Sequence, residues 1–176
     1  MLKIPILSNL NNLSKLNITS CTFVGKKIVL ENLYNLEKVQ FTYNFGKNIE
    51  LYLNNLPKLS YISICSLDLS VFSIINTLCL KEIRYRNNGC KNIHSFMHIF
   101  SKIDSLKKLT IYNHYINNIY TGHLTLENLT LDTCNLNTIE WIKLFPALKY
   151  LDIQNTDITK KMIEDLNINI DEIIDD

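Results

Sequence analysis

Residues 126–136 read LENLTLDTCNL. Leu126 is followed at offsets of three and five by Leu129 and Leu131, then by Cys134 and by Leu136, in a frame that can be written LxxLxLxxNxL. Six more triads share the first three places: Leu13/Leu16/Ile18, Leu36/Val39/Phe41, Leu59/Ile62/Ile64, Leu80/Ile83/Tyr85, Leu106/Leu109/Ile111 and Leu148/Leu151/Ile153. Their first positions, 13, 36, 59, 80, 106, 126 and 148, are separated by 23, 23, 21, 26, 20 and 22 residues. A period of this kind marks stacked units, none of which can bury its apolar face alone. One solenoid is expected rather than two domains.

Positions 4 and 6 of the frame lie two apart, so on a strand they leave one face while positions 3, 5 and 7 leave the other. Apolar 4 and 6 point inward. The frame resembles leucine-rich repeats over residues 13–158. The resemblance implies an α/β leucine-rich repeat solenoid of seven repeats, with a concave parallel sheet and short helices or extended returns on the convex side. Residues 1–12 would be an N-terminal cap and residues 159–176 a C-terminal cap with an acidic tail. In that family position 9 carries Asn or Cys, whose polar atoms satisfy backbone groups where the strand turns away. Here it reads Cys21, Asn44, Leu67, Asn88, His114, Cys134 and Thr156. Leu67 offers no hydrogen bond, so an irregular turn is expected there; His114 still could.

Position 11 continues the core as Phe23, Leu69, Cys90, Ile116, Leu136 and Ile158, whereas Gly46 leaves it empty for Ile49, Leu51 or Leu53 to fill. Helical spacing predicts convex-side helices over Asn92 to Ile103, through Ile93, Phe96, Met97, Phe100 and Ile103, and over Thr138 to Phe145, through Ile139, Ile142 and Phe145. Asn117 to His123 is too short for a helix and Phe45 to Leu56 is ambiguous, so extended or 3₁₀ returns are expected. Leu2, Ile4, Ile6, Leu7 and Leu10 are the apolar cover for the first repeat. At the other end Thr159 to Leu166 predicts a short capping helix with Met162, Ile163 and Leu166 inward; a truncated strand through Ile163, Leu166 and Ile168 is the competing reading.

Composition narrows the classes. With 47% apolar and 20% charged residues the chain is not of a disordered kind. The longest apolar stretch, Val71 to Leu80, is interrupted by Ser73, Asn76 and Thr77, and nothing reaches the about 20 residues of a bilayer span. Met1 to Leu10 lacks a signal-peptide core, so a cytoplasmic setting is expected, in the host cytoplasm if the source is viral. The cysteines agree: Cys21 and Cys134 lie five repeats apart, roughly 25 Å at about 5 Å per strand, whereas a disulfide needs Cα atoms within about 7 Å. Cys65, Cys79 and Cys90 show no CxxC spacing, so reduced thiols are expected.

Motifs for chemistry are sparse. His94 and His98 are four apart, as two ligands of a helical metal site would be, but Ser95 stands where the metalloprotease pattern needs glutamate, and no third ligand is identifiable. Gly25-Lys26 and Gly46-Lys47 lack the upstream glycine of a phosphate loop, since Ser20 and Phe41 occupy that place. No Ser/His/Asp order suggests a nucleophile. Arg84 or Arg86 acting on a partner's phosphate is the remaining enzymatic role. The expectation is a non-enzymatic chain without cofactor or metal.

The outward rows carry more. Position 3 runs Lys15, Lys38, Tyr61, Glu82, Lys108, Asn128, Tyr150; position 5 runs Asn17, Gln40, Ser63, Arg84, Thr110, Thr130, Asp152; position 7 runs Thr19, Thr42, Cys65, Arg86, Tyr112, Asp132, Gln154. Tyr61, Arg84, Arg86, Lys108 and Tyr112 should converge mid-array, and Tyr and Arg are the types enriched at binding hot spots. The competing view is that these groups simply stack on one another. The net charge of +1 conceals a dipole: residues 1–112 hold 14 Lys/Arg against 6 Asp/Glu, and residues 113–176 hold 4 against 11. Such asymmetry steers a bipolar partner or favours weak end-to-end association of an otherwise monomeric chain. The expected function is recognition of a protein partner through the concave sheet, possible virus–host or adaptor binding included. The alternative is nucleic-acid binding through Lys15, Lys38, Arg84, Arg86 and Lys108, with Glu82, Asp132 and Asp152 counting against it. Abundant Asn, Ile, Lys and Tyr resemble the leucine-rich repeat products of large AT-rich DNA viruses or amoebae. Residues 1–12 and 159–176 are too short for an F-box, kinase or ligase domain, so any downstream activity is expected to be recruited.

Overall fold

The structure is a computed structural model, and it describes residues 7–24, 27–86, 99–112, 115–116, 122–136 and 138–175. In chain order the strands are β1 (Leu7–Ser8), β2 (Lys15–Thr19), β3 (Lys27–Glu31), β4 (Lys38–Thr42), β5 (Ile49–Asn54), β6 (Tyr61–Cys65) and β7 (Leu69–Ile75). They continue as β8 (Glu82–Arg86), β9 (Lys108–Tyr112), β10 (Tyr115–Ile116), β11 (Asn128–Asp132), β12 (Asn135–Leu136), β13 (Tyr150–Asp152) and β14 (Glu172–Ile174). A 3₁₀ helix spans Glu140–Leu144 and the helix α1 spans Lys160–Glu164. The chain is a parallel β-solenoid of about seven turns with little helix.

The main sheet holds eight parallel strands in the order β2-β4-β6-β8-β9-β11-β13-β14. Position 4 stays in register throughout, Leu16 beside Val39, then Ile62, Ile83, Leu109, Leu129, Leu151 and Ile173. From Val39 to Ile153 the side chains at positions 4 and 6 are essentially sealed from solvent. Leu16 and Ile18 in β2 are only half-buried, because among the described residues no strand lies beyond them in the sheet.

A repeated backbone corner lets each strand leave the sheet. Position 8 has positive φ in every described repeat, at Ser20, Tyr43, Ser66, Thr133 and Asn155. The amides of Ser20, Ser66 and Thr133 nevertheless donate to the following turn, at Thr42 O, Arg86 O and Gln154 O, at 2.8–3.1 Å. The chain bends without giving up its ladder. The turn at Leu67 is therefore regular, contrary to the expectation from its lost side-chain acceptor: Ser66 makes the corner, and Leu67 is fully buried. Where position 9 is polar it adds to the corner. Buried Asn44 donates from Nδ2 to Ile18 O at 2.7 Å and accepts from Cys21 N at 2.9 Å, tying two turns together.

The returns differ between the two halves. In the N-terminal half they form a second parallel sheet, β1-β3-β5-β7, where extended returns had been anticipated only for Phe45 to Leu56. The alternating Ile49, Leu51 and Leu53 face the core, and Ile49 fills the space at Gly46: a Cβ on that glycine would stand 2.9 Å from Ile49 Cδ1. These strands too end at left-handed residues, Asn9, Asn32, Asn55 and Asn76. Asparagine tolerates that conformation better than other non-glycine residues, and Asn55 Nδ2 donates to Asn32 Oδ1 at 2.8 Å along the stack. In the C-terminal half β10 pairs with β12, the one partner it has among the described residues. Most of the helix expected over Asn92 to Ile103 lies outside the described residues; Ile99 and Phe100 are helical. Within the stretch Thr138 to Phe145, Glu140–Leu144 forms a 3₁₀ helix rather than an α-helix; Trp141, Ile142 and the following Phe145 are buried, and Trp141 Nε1 donates to Thr138 O at 2.7 Å. Asn88, Cys90, His114 and the cap residues Leu2, Ile4 and Ile6 also lie outside the described residues.

At the C-terminal end a short helix lies within the stretch Thr159 to Leu166 where one is expected, and a strand follows it. In α1 Ile163 is buried, Leu166 beyond it is half-buried and Met162 faces solvent. The chain then returns as β14, whose Ile173 sits beside Leu151. Ile170 and Ile173 thus repeat the triad 22 residues after Leu148, with Asp175 in the place of the third apolar residue. Asp175 has another use: its Oδ2 accepts the Lys160 amide at the start of α1 at 2.8 Å, beside the N-cap Thr159, whose hydroxyl accepts from Met162 N.

Candidate functional site

Because the main sheet is in register, its outward residues form rows that run from strand to strand. At position 3 the row reads Tyr61, Glu82, Lys108, Asn128, Tyr150, Glu172; at position 5 it reads Ser63, Arg84, Thr110, Thr130, Asp152. The five residues singled out from the sequence do converge on β6, β8 and β9, and much of what they offer is spent on each other. The Tyr61 ring lies between Lys38 Nζ, 4.5 Å from its centroid, and Arg84 Cζ at 5.8 Å. Arg86 Cζ lies 5.8 Å from the Tyr112 ring. Arg84 Nε also donates to Glu82 Oε1 at 2.7 Å, and that bond holds its guanidinium above the ordinary pKa. Lys108 has no such partner among the described residues.

A cavity of about 300 Å³ opens on this face, one step toward the C-terminal strands. Its floor is Thr110 on β9 and Thr130 on β11, neighbours in the position-5 row. Both are outward residues, yet they are only 3% and 8% exposed, because taller neighbours surround them. Neither hydroxyl has a hydrogen-bond partner among the described residues. Tyr112 and Tyr150 stand on either side, Lys108, Arg84 and Asn128 supply polar edges, and Asp152 closes the far end. Asp152 makes no ion pair among the described residues; it accepts only the Gln154 amide at 3.2 Å. Burial, then the Asp152 and Glu172 charges, push the Tyr150 phenol up. The cavity therefore combines two unpartnered hydroxyls, an unpaired cation, an unpaired anion and two aromatic walls.

The structure thus retains Arg84, Lys108 and Tyr112 at the cavity and leaves Tyr61 and Arg86 outside its lining. Thr110, Asn128, Thr130, Tyr150 and Asp152 were in the rows read from sequence but not picked out. Side-chain height was the missed signal, since two adjacent threonines between long neighbours make a depression.

Elsewhere chemistry is thin. His123 is buried on the core side, with Nε2 2.9 Å from Ile103 O and Nδ1 accepting from Thr125 N at 3.3 Å, which assigns the neutral ring with its proton on Nε2. Burial is the main cause holding its pKa below the ordinary value. His94 and His98 lie outside the described residues, among which no group of three or more potential metal ligands occurs. Cys21, Cys65 and Cys79 carry free thiols, Cys134 Sγ donates to the carbonyls of Ile111 and Asp132 at 3.6 Å, and Cys90 lies outside the described residues. No described helix is long and apolar enough to cross a membrane. No protein-family model, no curated protein and no solved structure matches the chain.

Proposed function

We propose that the chain is a recognition module of the leucine-rich repeat kind that binds a protein partner, without catalysis, across the outward face of its eight-stranded sheet. The observation that carries this reading is the cavity floored by Thr110 and Thr130, where groups of opposite charge and unpartnered hydroxyls meet between tyrosines. Aromatic side chains with polar tips contribute area at little entropic cost, and charges at the rim set orientation and encounter rate. A nucleic-acid backbone suits the face less well, because Glu82, Asp132 and Asp152 interrupt the cations along it. The AT-rich residue usage supports a source among large DNA viruses or amoebae and a partner in the host cytoplasm.

Affinity capture from a cell lysate tests the proposal, with the wild-type chain beside an Arg84→Glu/Arg86→Glu variant. The variant should lose the partners that the wild type retains. Recovery of the same partners by both would place the binding surface elsewhere.

A further inference from the structure

We infer that the Thr110/Thr130 cavity takes an extended peptide segment bearing an acidic and a basic side chain two residues apart, laid across the strands with its acid toward Lys108 and its base toward Asp152. The inference rests on the protein-binding reading above and specifies the chemistry of the partner.

Three observations fix this ligand class. Lys108 and Asp152 are the unpaired charges of the cavity, on β9 and β13, with β11 between them. Two strand spacings and two residues along the strand put their Cα atoms about 12 Å apart. Both residues line the same cavity, so guest charges that reach them lie closer together than their Cα atoms. Residues i and i+2 of an extended peptide project to the same side about 6.5–7 Å apart, which matches. A free amino acid is too short, since only two bonds separate its ammonium nitrogen from its carboxylate carbon.

Second, a lone anion is poorly served. Arg84 is already bound to Glu82 at 2.7 Å, and the Asp152 carboxylate stands at the opposite end. A phosphate would meet one cation whose charge no neighbouring acid offsets, Lys108, and repulsion from Asp152.

Third, the floor suits a backbone. Thr110 and Thr130 are buried residues whose hydroxyls make no hydrogen bond among the described residues, and each hydroxyl can donate to a carbonyl or accept from an amide. A peptide crossing the strands would present such groups to them in succession. Tyr112 and Tyr150 then flank the methylene stems of the guest's charged side chains.

The test measures fluorescence anisotropy with labelled nine-residue peptides that share glycine–serine flanks and carry Glu-Xaa-Lys, Glu-Xaa-Glu or Lys-Xaa-Lys at the centre. The wild-type chain should bind the bipolar peptide at least about fivefold more tightly than either other peptide, in keeping with the discrimination that matched charge pairs provide. Asp152→Lys should shift the preference to Glu-Xaa-Glu and Lys108→Glu to Lys-Xaa-Lys, whereas Thr110→Val/Thr130→Val should weaken binding while keeping the order. Both charge reversals lie on the open face, and circular dichroism verifies that each variant is folded. Equal binding of the three peptides, or a preference that ignores both reversals, overturns the inference.

The lysate capture separates the two levels. Partners lost by Arg84→Glu/Arg86→Glu but kept by Asp152→Lys would leave protein binding standing and remove the cavity from it. A peptide preference that switches as stated, with capture insensitive to Arg84 and Arg86, would uphold the cavity and refute the broader surface.

Discussion

Of the two described glycines, Gly122 is the less able to change. A Cβ there would collide with the carbonyl oxygen of Leu144, which also accepts the His123 amide at 3.1 Å. The 3₁₀ helix and the turn before β11 are thus held together by backbone approach, and a methyl group would force them apart. Gly122→Ala should lower unfolding free energy by about 1–3 kcal/mol, the usual cost of overpacking, as measured by urea denaturation. The neighbouring His123 makes stability depend on pH. Its folded pKa is depressed, so the unfolded chain binds more protons below about pH 6.5, and the stability due to the neutral ring is present above that value and lost as pH falls. The urea midpoint of the wild type should therefore drop more between pH 7.5 and 5.5 than that of His123→Gln; equal drops would show that the ring is not responsible. Neither constraint is legible in the sequence, where Gly122 and His123 are ordinary members of a return segment. Asn44 was legible, since a buried polar residue at a turn must satisfy backbone groups.

At the scale of elements, the main sheet could be read from its triads because positions 4 and 6 alternate with polar residues in nearly every turn. The second sheet was harder to see. In β3 the consecutive Ile28, Val29 and Leu30 are all buried, which erases alternation, and in β7 the pairing with β5 shifts register between Ile49 and Glu50. The last strand was hidden for a different reason: Asp175 occupies the place of an apolar residue and caps α1 instead. This acid couples two C-terminal elements, so Asp175→Ala should speed hydrogen exchange at the Lys160 amide and through β14 and cost about 0.5–1 kcal/mol, within the range for loss of a capping acceptor. An unchanged exchange rate at Lys160 would show that Thr159 caps the helix unaided.

For the whole molecule, the repeat axis orders charge as well as structure. Lys15 and Lys38 occupy position 3 at one end of the main sheet and Glu172 occupies it at the other, with the cavity where the sign changes. The sequence showed both the dipole and the rows, so the face could be chosen before the fold was known. The cavity lies one or two strands beyond the Tyr61, Arg84 and Arg86 group that the sequence points to, because tyrosine and arginine stand out in a sequence and the low threonines beside them do not. Strand pairing in the main sheet holds at offsets of 23, 23, 21, 26, 20, 22 and 22 residues, while the shift between β5 and β7 and the varied C-terminal returns take up the differences. One side of the solenoid is thus a fixed reading frame and the other an editable margin. Residues can be gained or lost in the margin without moving any letter of the text that a partner reads.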